Sequence, residues 1–482
     1  MWYMKILLLR IAMFRFVSDR CSSVKRLSLL FFGLSLYSIE SSFYCRKITI
    51  FNKFIIKFKR YSDYPFYDSN FTSFHSFSDF LTNTANASLK PVLLWIDQGL
   101  GGGTLSYSLN KFKEYKNSYL IVRLQYFHQY DSFVISCPNG ECYTGFTLSF
   151  HELTALLDKI FFTKIVINSL VAYRNVRDVL SYINHLRIKN ISLKLIYNVH
   201  DFFLICPNCN LVDSKDKFCG FITENDCLSC INFYKRKQPG YENQLFYGEY
   251  DNPSQWRTMW QKILLEVADE VVCFSKSSCE LVSRFYPNIS AKLRLIPHLV
   301  RPLRAVNIEP HNCVNLAVLG KVDSIPKGKA VVEQLSISID KLNKESANQE
   351  NDSDQASSIC IYEKNASSSL EYVRHKKVNL LCIGDYMNAP QNMVVTGTYK
   401  RENLPDLLEK NQIDLILIPS ICAETFSYTT SEAISMNVPV ACFNLGGQAD
   451  QVSVYSKGLI LELSDSADIV LDKILDFLSK LS

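Results

Sequence analysis

The 482-residue chain lacks what a polytopic membrane protein needs: no uninterrupted apolar run reaches the ~18–20 residues that span a bilayer. It also lacks a strong charge bias. Against 52 basic side chains stand 47 acidic ones, and a net +5 over this length is too mild to argue for nucleic acid as a partner. Glycine and proline are sparse, at 17 and 15, and no motif recurs at a fixed period, so collagen-like and repeat architectures are excluded. With 48% apolar and 21% charged residues, wholesale disorder and a coiled coil are excluded as well. What remains is a globular composition. At roughly 100–200 residues per domain, it suffices for two or three domains with ample core.

Cysteine, by contrast, is plentiful, with 16 in all. Most lie singly inside apolar runs. Cys273, Cys382 and Cys442 read as small buried hydrophobes of a reduced, cytosolic chain. The charge, mild overall, is unevenly placed. Residues 1–60 hold twelve Lys and Arg against Asp19 and Glu40, so this stretch carries +10 and the remainder −5. Within it, Leu27 to Ile39 is uncharged and resembles a signal-peptide core, but it starts late and no small-x-small cleavage site follows. A basic, aromatic segment of this kind suits a surface lying on anionic lipid, at ~1 kcal/mol per basic residue near the membrane. The plainer alternative is a poorly folded extension, or a start codon placed too early. Residues 61–88 read as a linker, making 1–88 an extension, and the polar stretch 343–369 reads as a solvated insert.

Between these stretches, short apolar runs alternate with helical patterns. The runs at 91–97, 119–127, 164–170, 193–201 and 270–275 form one series, and those at 314–320, 378–385, 413–420 and 438–444 a second. Near-continuous Val, Ile and Leu mark strands buried on both faces, as in a parallel sheet wrapped by helices. The expected fold class is therefore α/β, with two doubly wound Rossmann-like domains, 89–305 and 306–482, facing a cleft. Ligands of such sheets bind at the carboxyl ends of the strands.

Several positions at those strand ends can carry chemistry. Gly99, Gly101, Gly102 and Gly103 follow the first strand, where backbone N–H groups and a helix N-terminus suit an anion or substrate, although the spacing is not that of a dinucleotide fingerprint. Its plain alternative is a flexible loop. His200 and Asp201 close another strand; a lone His is usually structural, but a strand end argues for function. Behind them, Cys206, Cys209, Cys219, Cys227 and Cys230 fall within 25 residues, and two C-x-x-C pairs about 20 residues apart suit tetrahedral thiolate coordination of zinc. A Cys-rich loop without metal is the alternative, and an Fe–S cluster or a disulfide pair fits a reduced compartment less well. In the second half, Gly320-Lys321 and Lys327-Gly328 form a basic turn able to cradle a diphosphate, or simply a solvated loop. Glu424 follows a strand and Glu432 lies eight positions on, in the next helix. Paired carboxylate oxygens accept sugar or ribose hydroxyls well.

Taken in this order, the elements resemble retaining family 4 glycosyltransferases of the two-Rossmann-domain (GT-B) type. The Glu424-x7-Glu432 element and the Gly320-Lys321…Lys327-Gly328 turn carry that resemblance. The glycine loop at 99–103 and the His-Asp-Phe-Phe…Cys stretch resemble a bacterial surface-polysaccharide subgroup. The resemblance covers residue ~90 to the C-terminus and none of 1–88. It implies that Glu424 holds donor-sugar hydroxyls, Glu432 the ribose, and Lys327, helped by Lys321, the diphosphate. His200 would sit beside the transferred sugar, with Thr425, Phe426, Ser427, Gly102 and Gly103 completing the donor side. It further implies Cys206, Cys219, Cys227 and Cys230 as the ligands of a structural zinc, Cys209 being the alternate. Lys321 stands where the family often has Arg, which weakens bidentate phosphate binding.

The function that follows is transfer of a sugar (hexosyltransferase type, EC 2.4) from a nucleotide sugar to a glycan or lipid-linked acceptor of surface polysaccharide or lipopolysaccharide, at the cytoplasmic face of the membrane. No cofactor is expected for catalysis. Such a reaction needs stabilisation of the leaving-group charge more than a strong base. Two other readings remain: a catalytically silent membrane-associated scaffold, and a nucleotide-sugar epimerase.

Overall fold

A computed structural model describes residues 14–21, 24–31, 34–42, 45–50, 53–59, 73–127, 132–139, 142–220, 224–236, 252–353 and 376–481. It opens with five strands, β1 (Phe14–Cys21), β2 (Val24–Phe31), β3 (Leu34–Ser42), β4 (Cys45–Ile50) and β5 (Lys53–Lys59). Each pairs antiparallel with the next. The stretch read as an extension is thus a meander. Part of the expected linker is also ordered, as helix α1 (Phe74–Ala87), which Ser73 caps by accepting the Ser76 N–H at 3.2 Å. Phe77, Leu81 and Ala85 recur every four residues on its buried side.

The next sheet has eight strands. In chain order its elements are β6 (Val92–Gln98), α2 (Gly103–Tyr115), β7 (Leu120–Phe127), β8 (Ser132–Asn139), β9 (Cys142–Leu148), α3 (Phe150–Leu157), β10 (Lys164–Ile167), α4 (Val176–Lys189) and β11 (Lys194–Asn198). Then follow α5 (Glu224–Arg236), α6 (Pro253–Lys262), β12 (Glu270–Cys273), α7 (Lys276–Phe285) and β13 (Leu293–Leu295). The strand order is β13-β12-β11-β10-β6-β7-β8-β9. Pairing is parallel through β7-β6-β10-β11, while β7–β8 and β8–β9 pair antiparallel at one edge.

The third sheet is wholly parallel. Its elements are β14 (Cys313–Leu319), α8 (Lys329–Ser353), β15 (Lys377–Ile383), β16 (Met393–Val395), α9 (Leu404–Lys410), β17 (Leu415–Ile418), α10 (Tyr428–Ser435), β18 (Val440–Phe443), α11 (Gly446–Val452), β19 (Gly458–Leu461) and α12 (Ala467–Leu481). The order β16-β15-β14-β17-β18-β19 is that of a Rossmann fold, with its topological switch between β14 and β17. Alternate residues explain why both faces are covered. Leu316 and Val318 pack with Val332, Leu335 and Ile474 of α8 and α12. Ala317 and Leu319 join Leu404, Leu408 and Met436 on the opposite face. Each fully buried Leu or Ile contributes roughly 1.5–3 kcal/mol, so a strand apolar on both sides is held twice.

All nine apolar runs expected as strands are strands. The polar insert is corrected in part: residues 343–353 continue α8 as helix, and 354–369 fall outside the described residues. By contact density the chain divides into two compact units, Met1–Asn198 with Lys262–Glu270, and Val199–Gln261 with Val271–Ser482.

Candidate active site

In the second unit, the loops after β14 and β17 meet at the switch point. Gly328 makes this approach possible. Its φ of +85° is left-handed, and a Cβ there would lie 2.0 Å from the Pro419 carbonyl oxygen. The neighbouring Lys327 Nζ reaches Glu424 Oε1 at 2.5 Å, and the same oxygen accepts the Ser420 hydroxyl at 2.8 Å. Burial pushes the Glu424 carboxyl up. The Lys327 charge, with hydrogen bonds from Lys327, Ser420 and Ser427, outweighs that and holds it below the usual carboxylate range. Desolvation pulls Lys327 down, but Glu424 more than reverses it, so the ammonium stays charged while 47% of its side chain remains in solvent.

The Glu424 backbone is fixed independently. Its N–H donates to Gln448 Oε1 at 3.1 Å, and its carbonyl accepts from Gly447 N at 2.6 Å. Gln448 is fully buried and also donates to the Cys422 carbonyl. Nothing in the linear spacing singled out Gln448 as the clamp on this loop. Gly446 beside it has φ +65°, and a Cβ there would meet Glu424 N at 2.6 Å.

Ser427 begins α10 by accepting the Thr430 N–H, and Glu432 lies one turn beyond. Its Oε1 accepts Arg401 Nε at 2.6 Å, while Arg401 Nη2 also donates to the Arg301 carbonyl. Burial raises the Glu432 carboxyl, and Arg401 only partly offsets this. Arg401, too, was absent from the sequence-derived set, because its partner is 31 residues away.

His200 joins the same site through its backbone: its carbonyl accepts the Thr425 hydroxyl at 2.9 Å. Its ring lies 4.4 Å from Phe274 and 5.3 Å from His298, centre to centre. Burial, then the charge of His298, holds its pKa well below the usual imidazole range, so it is neutral at pH 7. Phe426 stacks on His298 at 4.6 Å, and Tyr428 OH bonds His298 Nδ1 at 2.7 Å. His298 follows a three-residue, largely exposed strand, a signal too weak to find it by.

Not every expected residue converges. Lys321 is 67% exposed and pairs with Asp323 at 3.6 Å, apart from the Lys327–Glu424 pair. Gly320 provides a left-handed turn in open space. Asp201 Oδ1 accepts the Phe203 N–H and so caps the turn behind His200. Gly102 and Gly103 belong to the first unit. There Gly102, with φ +74°, occupies the N-cap of α2 without a side-chain cap, behind the buried Asp97–Arg123 pair at 2.7 Å.

The cysteines expected to hold zinc line one cavity of about 250 Å³, where Cys206, Cys219, Cys227 and Cys230 are joined by Asp213 and Arg257. Cys209 is buried beside it without lining it. Yet among the described residues no group of three or more His, Cys, Asp or Glu is arranged to hold a metal ion. The thiols have other partners. Cys206 accepts from the Asn208 backbone, Cys230 from that of Ser214, and Cys227 takes the Arg257 guanidinium at 3.4 Å. Burial raises the pKa of both Cys206 and Cys230, the latter to about 11, and the neighbouring thiols add to the shift.

Two carboxylates, one paired ammonium and a neutral imidazole can exchange hydrogen bonds with the hydroxyls of a polar ligand. Residues 374–480 match the family model described as glycosyl transferases group 1. Glu424, Glu432 and Arg401 lie inside that segment, whereas Lys327, His200 and His298 lie outside it. No curated protein matches the sequence. Among solved structures, it is similar to sucrose-phosphate synthase from Thermosynechococcus elongatus, with 14% identity over 81% of this chain and 90% of that one and a TM-score of 0.47. It is also similar to the lipopolysaccharide outer core galactosyltransferase WaaB in its apo form, with 11% identity over 81% and 90% and a TM-score of 0.45. HepE from Anabaena in complex with UDP shares 13% identity over 80% and 89%, with a TM-score of 0.42. At these values the likeness adds nothing to what the strand order already shows.

Proposed function

We propose that this chain is a retaining glycosyltransferase that takes a nucleotide sugar as donor and a glycan or lipid-linked molecule as acceptor. The observation that carries the reading is the Lys327–Glu424 pair at the β14/β17 switch point, tied through Thr425 to His200. The ionised Glu424 accepts donor-sugar hydroxyls. Lys327 turns toward the diphosphate and neutralises the charge that grows as the glycosidic bond breaks, the kind of interaction that strengthens in the transition state. His200, neutral and half-buried, donates one N–H to the sugar without adding a cation. Glu432 offers its second oxygen to the ribose, Arg401 holding the first. Neither glutamate stands free as a base, since one is paired with Lys327 and the other with Arg401; this supports retention over base-assisted inversion.

The test is nucleotide release from UDP-, GDP- and dTDP-sugars with membrane extract as acceptor. Wild type is compared with Glu424→Gln. Release that requires extract and falls by about 10²–10³-fold in the variant is expected. Unchanged release in Glu424→Gln would remove the central assignment. No release from any donor by a folded wild type would shift the reading to the scaffold.

A further inference from the structure

His298 has no role in the donor contacts above, yet it is 91% buried where two segments of the site meet. Its ring stands edge-on to His200 at 5.3 Å and to Phe274 at 4.1 Å, and it stacks on Phe426 at 4.6 Å. Phe274 in turn lies against the His200 ring at 4.4 Å, so His200 packs against the touching Phe274 and His298 rings. The Phe426 ring and the Tyr428 hydroxyl that bonds His298 Nδ1 at 2.7 Å both come from the stretch between Glu424 and Glu432. A buried imidazole among phenyl rings is costly unless it is hydrogen-bonded, so packing alone favours a Phe here. The imidazole is explained if its bond to Tyr428 matters.

We infer that His298 is a positioning residue that sets the His200 ring against the segment carrying both glutamates. The inference rests on the glycosyltransferase reading. Two links join the segment to His200. Thr425 fixes the backbone of His200 through its carbonyl, and His298 fixes the ring. A backbone link alone leaves the side-chain torsions of His200 free. The ring link removes that freedom, and Tyr428 removes the same freedom from His298. Placement of a group beside the reacting sugar is worth much in rate: a displacement of about 1 Å costs on the order of 10²-fold. None of this requires His298 to touch donor or acceptor.

The experiment uses the full chain and the donor that wild type turns over. His298→Phe keeps the ring and loses the bond to Tyr428; Tyr428→Phe loses the same bond from the other end. For both variants and the double variant, kcat, donor KM, affinity for the product nucleotide and the melting temperature are measured. The expected result is a fall in kcat of about 10–100-fold in each single variant, with nucleotide affinity within about twofold of wild type. The double variant is expected to lose no more than either single one, because all three lack one bond. A kcat within twofold of wild type in His298→Phe overturns the inference. So does a fall in kcat and nucleotide affinity that tracks the loss of folded protein. Should His298→Phe fail to fold, Tyr428→Phe decides alone by the same criteria. A folded wild type that turns over no donor overturns the glycosyltransferase reading and this inference together, whereas an active wild type with an equally active His298→Phe overturns the inference alone.

Discussion

Lys327 and Glu424 each owe their charge state to the other, and this gives the site a pH signature. Glu424 has a folded pKa below its usual range. Its pairing therefore stabilises the fold above the ordinary carboxylate pKa, near 4.3, and that contribution is lost as pH falls toward the folded value. Lys327 has a raised folded pKa. Its share is complete below the ordinary lysine value, near 10.4, and is lost only as pH rises through the folded one. Between about pH 5 and 10 the pair is intact. Urea unfolding of Glu424→Gln should show a loss of roughly 1.5–3 kcal/mol at pH 7, the range for a hydrogen bond to a charged group. Below about pH 4.3, where the unfolded carboxyl takes up a proton and the folded one resists it, the difference should shrink. A gap that is constant with pH would mean that the carboxylate is not what Lys327 holds.

At the scale of elements, the two loops of the site can approach only because glycine stands where they touch. Gly328 and Gly320 have similar left-handed φ, +85° and +80°, but only Gly328 faces a neighbour. Alanine at Gly320 should cost about 1–2 kcal/mol for backbone strain alone. At Gly328 the Cβ would lie 2.0 Å from the Pro419 carbonyl, so the loops must part. A loss of about 3–4 kcal/mol in chemical denaturation is expected, with donor turnover lost by movement of Lys327 from Glu424. The contrast isolates contact from strain.

The same distinction explains what could be read from the sequence. Runs such as Leu415–Ile418 are apolar on both faces, and that pattern has one structural meaning. Glu424, Glu432, His200 and Lys327 were legible because each closes or follows such a run. His298, Arg401 and Gln448 were not, since their importance lies in partners 20 to 130 residues away. Helix α1 and the end of α8 were hidden by Ser, Asn and Glu, which read as loop; in α1 the Ser73 cap and one buried stripe suffice for a helix. The cysteine spacing was legible in a different way: residues up to 24 positions apart in the chain line one cavity, joined there by Arg257, which bonds Cys227.

For the whole molecule, the unequal distribution of charge is the feature with the longest reach. Among the described residues no helix is long and apolar enough to cross a membrane. The first 60 residues nonetheless carry +10, against −5 for the remainder, so any attraction to an anionic surface comes from this segment's dozen basic side chains. At about 1 kcal/mol per basic residue near anionic lipid, even four or five engaged side chains suffice for measurable binding. Such binding decays over the Debye length, about 8 Å at physiological salt and about 3 Å at 1 M. The full chain should therefore sediment with vesicles containing phosphatidylserine, stay in solution with pure phosphatidylcholine, and be released as salt rises toward 1 M. Equal binding to both vesicles would place the attraction in apolar residues such as those between Leu27 and Ile39 rather than in charge. Absence from both would remove the membrane as a partner and favour a soluble glycan over a lipid-linked acceptor. Salt-sensitive binding would instead put the chain on the surface where a lipid-linked acceptor resides, so that turnover with acceptor in anionic vesicles should fall with salt while nucleotide affinity, which the proposed function assigns to the Lys327–Glu424 loops, falls far less.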